Sequence, residues 1–146
     1  MKKLLFIFLI SIATAPLFAA YNPDGVLGVW QDGNGKGHIQ IYKQNGKYYG
    51  KIIWMKNPND AGGKPKLDVK NPNASLRSKP LLGSIILKGF SYDSDDNEWD
   101  KGHIYNPNDG KDYKAYMKLK DKNTLIIHGY VGFTWIGRSE TWTRVR

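Results

Sequence analysis

The sequence contains no cysteine among its 146 residues. Disulfide bonds are therefore excluded, and so is the acylated cysteine that would tether a bacterial lipoprotein to a membrane. If the chain is exported, its fold must be held by packing and hydrogen bonds alone.

Long apolar runs are also scarce, and the one that is present lies at the N-terminus. It extends from Leu4 to Ala13, follows the basic pair Lys2-Lys3, and precedes small residues that end in Ala19-Ala20. This order is typical of a cleavable secretory signal, and the run is too short to span a bilayer comfortably. The sequence therefore predicts a signal peptide over residues 1–20, cleaved after Ala19 or Ala20, and one domain over residues 21–146. It indicates a periplasmic or secreted protein without a transmembrane segment.

After the signal, no stretch has the 3.6-residue period of an amphipathic helix. Alternating apolar and polar positions instead predict eight strands, mostly joined by short turns such as Asn45-Gly46. The predicted strands are Leu27–Asp32, Gly37–Lys43, Tyr48–Met55, Leu82–Phe90, Glu98–Tyr105, residues 113–120, Thr124–Val131 and Gly137–Val145. This pattern favours an all-β fold, an eight-stranded antiparallel up-and-down barrel, over a sandwich.

One long connection interrupts the strand pattern, from Asn57 to Pro80. It is rich in Asn, Pro and Gly and has no sustained period of 2 or 3.6. Long connections of this kind inside a compact domain are often lids or binding loops. The alternative is a solvent-exposed connection without a role.

The chain is basic, with a formal net charge of +9, and is rich in Tyr and Trp. A basic surface favours anionic envelope components, although ordinary solubility explains it equally well. Export argues against nucleic acid as a partner. The Tyr and Trp side chains suit ligand-facing walls, or cross-strand pairing on an ordinary sheet.

Several short motifs occur together in a recognisable order. They are Gly28-x-Trp30, Tyr49-Gly50-Lys51-Ile52, Asp68 before Asn71-Pro72, Arg77 before Pro80-Leu81, Gly102-x-Ile104-Tyr105-x-Pro107, Asp109-Gly110-Lys111, Gly129 and Gly132, Gly137-Arg138, and Trp142-x-Arg144. In these motifs the mature chain resembles the small secreted bacterial proteins grouped as domain of unknown function 2147. The resemblance implies a lipocalin-like (calycin-type) barrel and supplies no catalytic or ligand-binding residues.

The resemblance extends to the place where a lipocalin barrel closes. There an arginine of the last strand packs across the tryptophan of the first. On this likeness we expect Gly28 and Trp30 to meet Trp142 and Arg144, with Arg138 as the alternative arginine. The middle lipocalin signature Thr-Asp-x-x-Tyr is absent from the sequence.

Motifs for catalysis and cofactor binding are absent as well. The sequence has no Gly-x-Ser-x-Gly elbow, phosphate loop or dinucleotide fingerprint. Its three histidines lie on separate predicted strands without metal-ligand spacing, so we expect no metal site and no cofactor. Acid–base chemistry by His128, Tyr130 or Asp68 is the remaining route to an enzyme, and it is the less favoured reading.

The favoured hypothesis is an exported binding module that captures a small amphiphilic or apolar ligand in the barrel mouth. The candidate ligand-binding residues are Trp54, Asp68, Arg77, Lys79, Tyr105, His128 and Tyr130. The alternative is an envelope interaction protein whose barrel is filled by its own side chains. It would bind anionic envelope components or a protein partner.

Overall fold

The structure, a computed structural model, describes residues 22–146, so the predicted signal peptide over residues 1–20 lies outside the described residues. The eight strands are β1 (Gly28–Gln31), β2 (Gly37–Gln44), β3 (Lys47–Met55), β4 (Ile85–Asp93), β5 (Glu98–Asn106), β6 (Lys111–Asp121), β7 (Thr124–Tyr130) and β8 (Gly137–Arg144). Two short 3₁₀ helices cover Pro23–Val26 and Ala74–Leu76. Neither helix within residues 22–146 is long and apolar enough to cross a bilayer.

Each strand pairs in antiparallel fashion with the next, and the last strand returns to the first. The return pairing joins Trp30 to Arg144 and Gln31 to Thr143. The sheet is therefore a closed eight-stranded up-and-down barrel, and the fold predicted from the sequence is confirmed. Because the strands alternate in direction, the β1–β2, β3–β4, β5–β6 and β7–β8 connections lie at one end, which we call the open end.

The barrel interior is occupied by large side chains from every wall. Fully buried examples are Trp30, Tyr48, Leu87, Phe90, Trp99, Met117, Leu125, Ile127 and Trp142. At position 102, a Cβ atom in place of the glycine hydrogen would overlap the ring of Phe90. Much of the barrel interior is thus filled by the chain's own side chains.

The first 3₁₀ helix seals the other end of the barrel, which we call the closed end. The sequence predicts only a turn here, but Asn22 accepts a hydrogen bond from the backbone N–H of Asp24 and caps the helix. The indole N–H of Trp30 donates to the Val26 carbonyl at 2.9 Å, and that of Trp99 donates to the Pro23 carbonyl at 3.0 Å. Two core tryptophans therefore hold the helix across the closed end.

Arg144 completes this seal. Its guanidinium lies 4.2 Å from the centre of the Trp30 ring and donates at 2.7 Å to the carbonyls of Leu27 and Gly25. Gly28 makes room for it, since a Cβ atom there would lie 2.7 Å from Arg144 Nη1, and its φ of +131° is one that L side chains rarely adopt. The stacking predicted for the barrel closure is present in the structure and uses Arg144. Arg138 pairs with Gly129 near the open end instead.

Two positions depart from simple strand alternation. Ile85 belongs to an apolar run but is 44% exposed, because it lies at the start of β4 and pairs with Lys51 at the rim of the barrel. Strict alternation along β3 would place Trp54 on the same face as Gly50 and Ile52. A bulge at His38/Ile39 shifts the register, and Trp54 pairs with the outward residue His38, with ring centroids 4.4 Å apart.

Candidate ligand-binding groove

The β3–β4 connection, residues 56–84, folds back over the outer wall of the barrel. Its two arms are joined by isolated bridges between Asn59 and Pro65 and between Leu67 and Pro80. The Asp60 carboxylate shapes the tip, since it accepts hydrogen bonds from the N–H groups of Gly62 and Lys64. This stretch is irregular, as its composition predicts, but hydrogen bonds give it a defined shape.

A buried carboxylate fixes the connection to β5. Asp68 is 4% exposed, and its two oxygens accept from the Tyr105 hydroxyl at 2.6 Å and the Asn71 side-chain amide at 2.8 Å. Tyr105 lies on the outer face of β5. It pairs with Asp112 and is two residues from the exposed His103, on the same face of the strand. Burial, followed by the hydrogen bond to Asp68, raises the pKa of Tyr105 well above its usual value. Tyr105 therefore remains a neutral donor over the physiological range.

A second anchor ties the connection to the β5–β6 turn. The Lys70 ammonium donates to the Asn108 carbonyl at 2.6 Å. Gly110 has a φ of +71°, and a Cβ atom there would collide with the Lys70 carbonyl. Only glycine allows this close approach without rearrangement.

Between the connection and the outer wall lies an open groove of about 670 Å³. Its lining residues are Tyr49, Asp68, Asn71, Leu76, Lys79, Pro80, Leu82, Gly83, Ser84, Ile85, Lys88 and Tyr105. A smaller depression of about 340 Å³ shares Pro80 and Leu82 and continues along the connection past Pro58 and Pro65. Both cavities lie outside the barrel wall.

The groove combines an apolar wall with basic groups. Leu76, Leu82 and Ile85 are each between 42% and 45% exposed, which leaves their apolar surface available to a ligand. The Lys88 ammonium lies 3.2 Å from Asp112 and 5.1 Å from the centre of the Tyr105 ring. Because Asp68 is buried and accepts hydrogen bonds at both oxygens, the accessible charged groups of the groove are its lysines.

Residues 28–144 match the model of a bacterial family described as "Uncharacterized protein conserved in bacteria (DUF2147)". The chain belongs to this family. No curated protein matches the sequence significantly.

One solved structure shares the fold. It is a protein from the human pathogen Helicobacter pylori described as belonging to the lipocalin family. The two chains are 24% identical, each is covered over 82% of its length, and the TM-score is 0.70. This DUF2147 chain therefore has a lipocalin-like barrel.

The structure brings together only some of the residues predicted to bind a ligand. Asp68, Lys79 and Tyr105 all line the groove. Arg77 lies on the same connection, where its guanidinium donates to the backbone carbonyls of Asn71 and Pro72. Its role is thus to brace the connection beside the groove.

The other three candidates lie elsewhere. Trp54 is on the outer wall with His38, as described above. His128 and Tyr130 lie on the outer face of β7, since the intervening core positions on that strand point inward, and their rings are 6.1 Å apart. They therefore do not line the groove, and they do not face the barrel interior. No group of three or more potential metal ligands occurs within residues 22–146.

Sequence reasoning missed the apolar wall of the groove and Lys88. Leu82, Ile85 and Lys88 fall in the predicted strand Leu82–Phe90, and no motif sets them apart from other strand residues. The signal that could have identified Leu82 and Ile85 is their position directly after the Asn57–Pro80 stretch. Residues at that junction must sit at the rim, where the connection folds against the wall.

Proposed function

We propose that the protein is an exported binding module that captures a small, partly apolar ligand carrying an anionic group. The observation that carries this proposal is the groove of about 670 Å³ between the β3–β4 connection and the outer wall. Small-molecule sites are commonly clefts of about 300–1,000 Å³ with apolar walls and a few placed polar groups. The groove has this size and this composition.

The ligand chemistry follows from the lining. Leu76, Leu82 and Ile85 offer a surface for an alkyl or aromatic body. Lys79, at the rim, has no carboxylate partner among the described residues and is available to an anionic head group. The Lys88 ammonium forms an ion pair with Asp112 and adds a second positive charge to the groove. A neutral or cationic ligand would bind more weakly, because it would gain no attraction to the lysines.

The lipocalin-like fold supports a binding role, but not the site first expected for it. Eight-stranded barrels have interiors that side chains just fill or that hold one small ligand. Here Phe90, Met117 and Leu125 occupy the centre. We therefore assign the ligand to the outer groove, and the barrel to the rigid support that positions it.

Ligand capture is tested on the purified protein. Native mass spectrometry and solvent extraction should reveal a co-purified amphiphile, and 1-anilinonaphthalene-8-sulfonate should bind saturably and be displaced by dodecanoate. Ile85→Asp should weaken this binding strongly, because it places a carboxylate in the apolar wall. Val69→Asp is the matched control, since Val69 is 65% exposed on the same connection but does not line the groove. Absence of both co-purified and saturable ligand, or equal loss in the two variants, would contradict the proposal.

Export is part of the same proposal and has its own test. The basic start, the apolar run and Ala19-Ala20 support a periplasmic or secreted location. Protein recovered from the periplasm or medium should begin at Ala20 or Tyr21 on N-terminal sequencing. Recovery of chains that retain Met1 from the cytoplasm alone would contradict export.

The filled interior favours a second candidate, an envelope interaction protein. Such a protein would use its outer surface and would need no small ligand. If no amphiphile binds the groove but the purified protein still binds anionic envelope material, this second function is the one supported.

A further inference from the structure

The loop between β7 and β8 presents an unusual apolar surface at the open end. Residues 131–136 include Val131, Phe133, Trp135 and Ile136, which are 60%, 60%, 77% and 54% exposed. Single exposed apolar residues are common, but a contiguous exposed cluster marks an interaction site. We call these six residues the apolar loop.

The exposed arrangement is held by hydrogen bonds. The N–H of Val131 donates to the Ile136 carbonyl at 3.0 Å, and the N–H of Ile136 donates to the Phe133 carbonyl at 3.0 Å. The Thr134 carbonyl accepts from Nε2 of His128 at 2.6 Å. The rings of Phe133 and Trp135 are parallel within 6° and 4.5 Å apart. The loop is therefore built to display its aromatic side chains.

His128 helps to hold the apolar loop in this exposed arrangement. Its Nδ1 lies 2.7 Å from the Ser139 hydroxyl, so the Ser139 O–H can donate to Nδ1 while Nε2–H donates to the loop carbonyl. The imidazole thus connects β8 to the loop across the outer face of β7. This role accounts for His128 without catalysis or a metal.

Charge at the two ends of the barrel is unequal. At the open end, the four connections (residues 32–36, 56–84, 107–110 and 131–136) carry seven Lys and Arg residues against four carboxylates, and Arg138 follows the apolar loop directly. At the closed end, residues 22–27, 45–46, 94–97, 122–123 and 145–146 carry two basic residues against three carboxylates. The end that carries the apolar loop is therefore the more basic of the two.

We propose that the open end docks on the surface of an anionic lipid bilayer, with Phe133 and Trp135 inserted at the level of the head groups. Aromatic side chains favour this interfacial region, and Lys and Arg near an anionic bilayer are attracted to its phosphates. A protein groove could receive the aromatic pair too. A broad anionic plane, however, is the partner that also attracts Arg138 beside the loop and the basic groups of the β3–β4 connection at the same end. The proposal does not rest on ligand binding in the groove.

Vesicle sedimentation tests the proposal. Purified protein should bind vesicles of phosphatidylethanolamine with phosphatidylglycerol, bind phosphatidylcholine vesicles much more weakly, and lose binding as salt rises. The double variant Phe133→Ala with Trp135→Ala should bind the anionic vesicles at least roughly tenfold more weakly. Val145→Ala is the control, because it removes exposed apolar surface (Val145 is 45% exposed) at the closed end, and it should bind like the parent.

Fluorescence supplies a second readout in a Trp54→Phe background. There Trp135 is the remaining exposed tryptophan, since Trp30, Trp99 and Trp142 are at most 2% exposed. Its emission should shift to the blue when anionic vesicles are added. Absence of binding to anionic vesicles, or equal binding by the loop variant and the parent, would overturn the proposal. The groove variant Ile85→Asp should still bind vesicles, so failure of one proposal can be told from failure of the other.

Discussion

Replacement of Arg144 by alanine tests how the barrel is closed. Arg144 donates three hydrogen bonds of 2.7 Å, to the carbonyls of Lys122, Leu27 and Gly25, and stacks on Trp30. The bond to Lys122 is exposed to water and contributes little. The two part-buried bonds contribute roughly 1 kcal/mol each and the stacking about 0.5–1 kcal/mol. We therefore expect Arg144→Ala to lower the free energy of unfolding by about 3 kcal/mol.

Urea unfolding followed by tryptophan fluorescence measures this loss, and the midpoint of thermal unfolding should fall by roughly 10 °C. The free energy of unfolding of Arg144→Lys should lie between those of the parent and of Arg144→Ala, because an ammonium keeps the charge but cannot reach several carbonyls at once. The matched control is Arg138→Ala on the same strand, an exposed position at which we expect a change of about 0.5 kcal/mol or less. The reasoning is refuted if Arg144→Ala costs under about 1 kcal/mol, or if Arg138→Ala costs as much.

Three further predictions concern the connection and the closed end. Tyr105→Phe should cost about 1–3 kcal/mol in urea unfolding, because the buried Asp68 carboxylate loses a donor. Gly110→Ala should cost at least about 1 kcal/mol and make the connection more sensitive to protease, because its Cβ would collide with the Lys70 carbonyl. Hydrogen bonds from Tyr48 and Lys43 lower the pKa of Asp24, so the stability it provides is present above about pH 4 and is lost as pH falls through the folded-state pKa. Asp24→Asn should therefore flatten the loss of stability in acid unfolding curves.

Each of these three test variants has a control variant. Tyr113→Phe removes a hydroxyl bound to the exposed Asp109 and should cost less than Tyr105→Phe. Gly46→Ala has a similar positive φ but open space around it, so it isolates the backbone strain from the collision at Gly110. Lys47→Met removes a nearby lysine that bonds Ser91 and not Asp24, and it should leave the acid limb unchanged. If any control matches its test variant, the contact assigned to that variant is wrong.

The fold was predictable because the sequence repeats one simple signal. Ile39 and Ile41, or Ala115 and Met117, alternate with polar residues, and turns such as Asn45-Gly46 allow the positive φ that a tight hairpin needs. Closure could be inferred from the likeness to lipocalins in Trp30 and Arg144. Such signals are local or pairwise, and they survive errors of one or two residues in strand boundaries.

The candidate site was less predictable because it depends on where a long connection comes to rest. Composition indicates that residues 57–80 lack regular structure, but it does not indicate whether they cover the mouth or the outer wall. That outcome is decided by Asp68 meeting Tyr105 and by Lys70 meeting Gly110, two contacts between residues far apart in sequence. Tyr105 lines the groove, and it does so from the outer face of the wall.

The positions of Trp54 and His128 were also not predictable from the sequence. A bulge moves Trp54 to the outer wall, and a bulge of this kind leaves no mark in the pattern of apolar residues. His128 was named among the candidate residues of the barrel mouth. Its partners, Ser139 and the Thr134 carbonyl, show that it holds the apolar loop instead.

We propose that a ligand binds in the outer groove and not in the barrel interior. The most direct measurement is the set of backbone amide shifts in two-dimensional NMR spectra as dodecanoate is added. We predict saturable shifts clustered at Leu76, Lys79, Leu82 and Ile85, with little change at interior positions. Shifts centred on Phe90, Met117 and Leu125, or no saturable shift at any position, would contradict the claim.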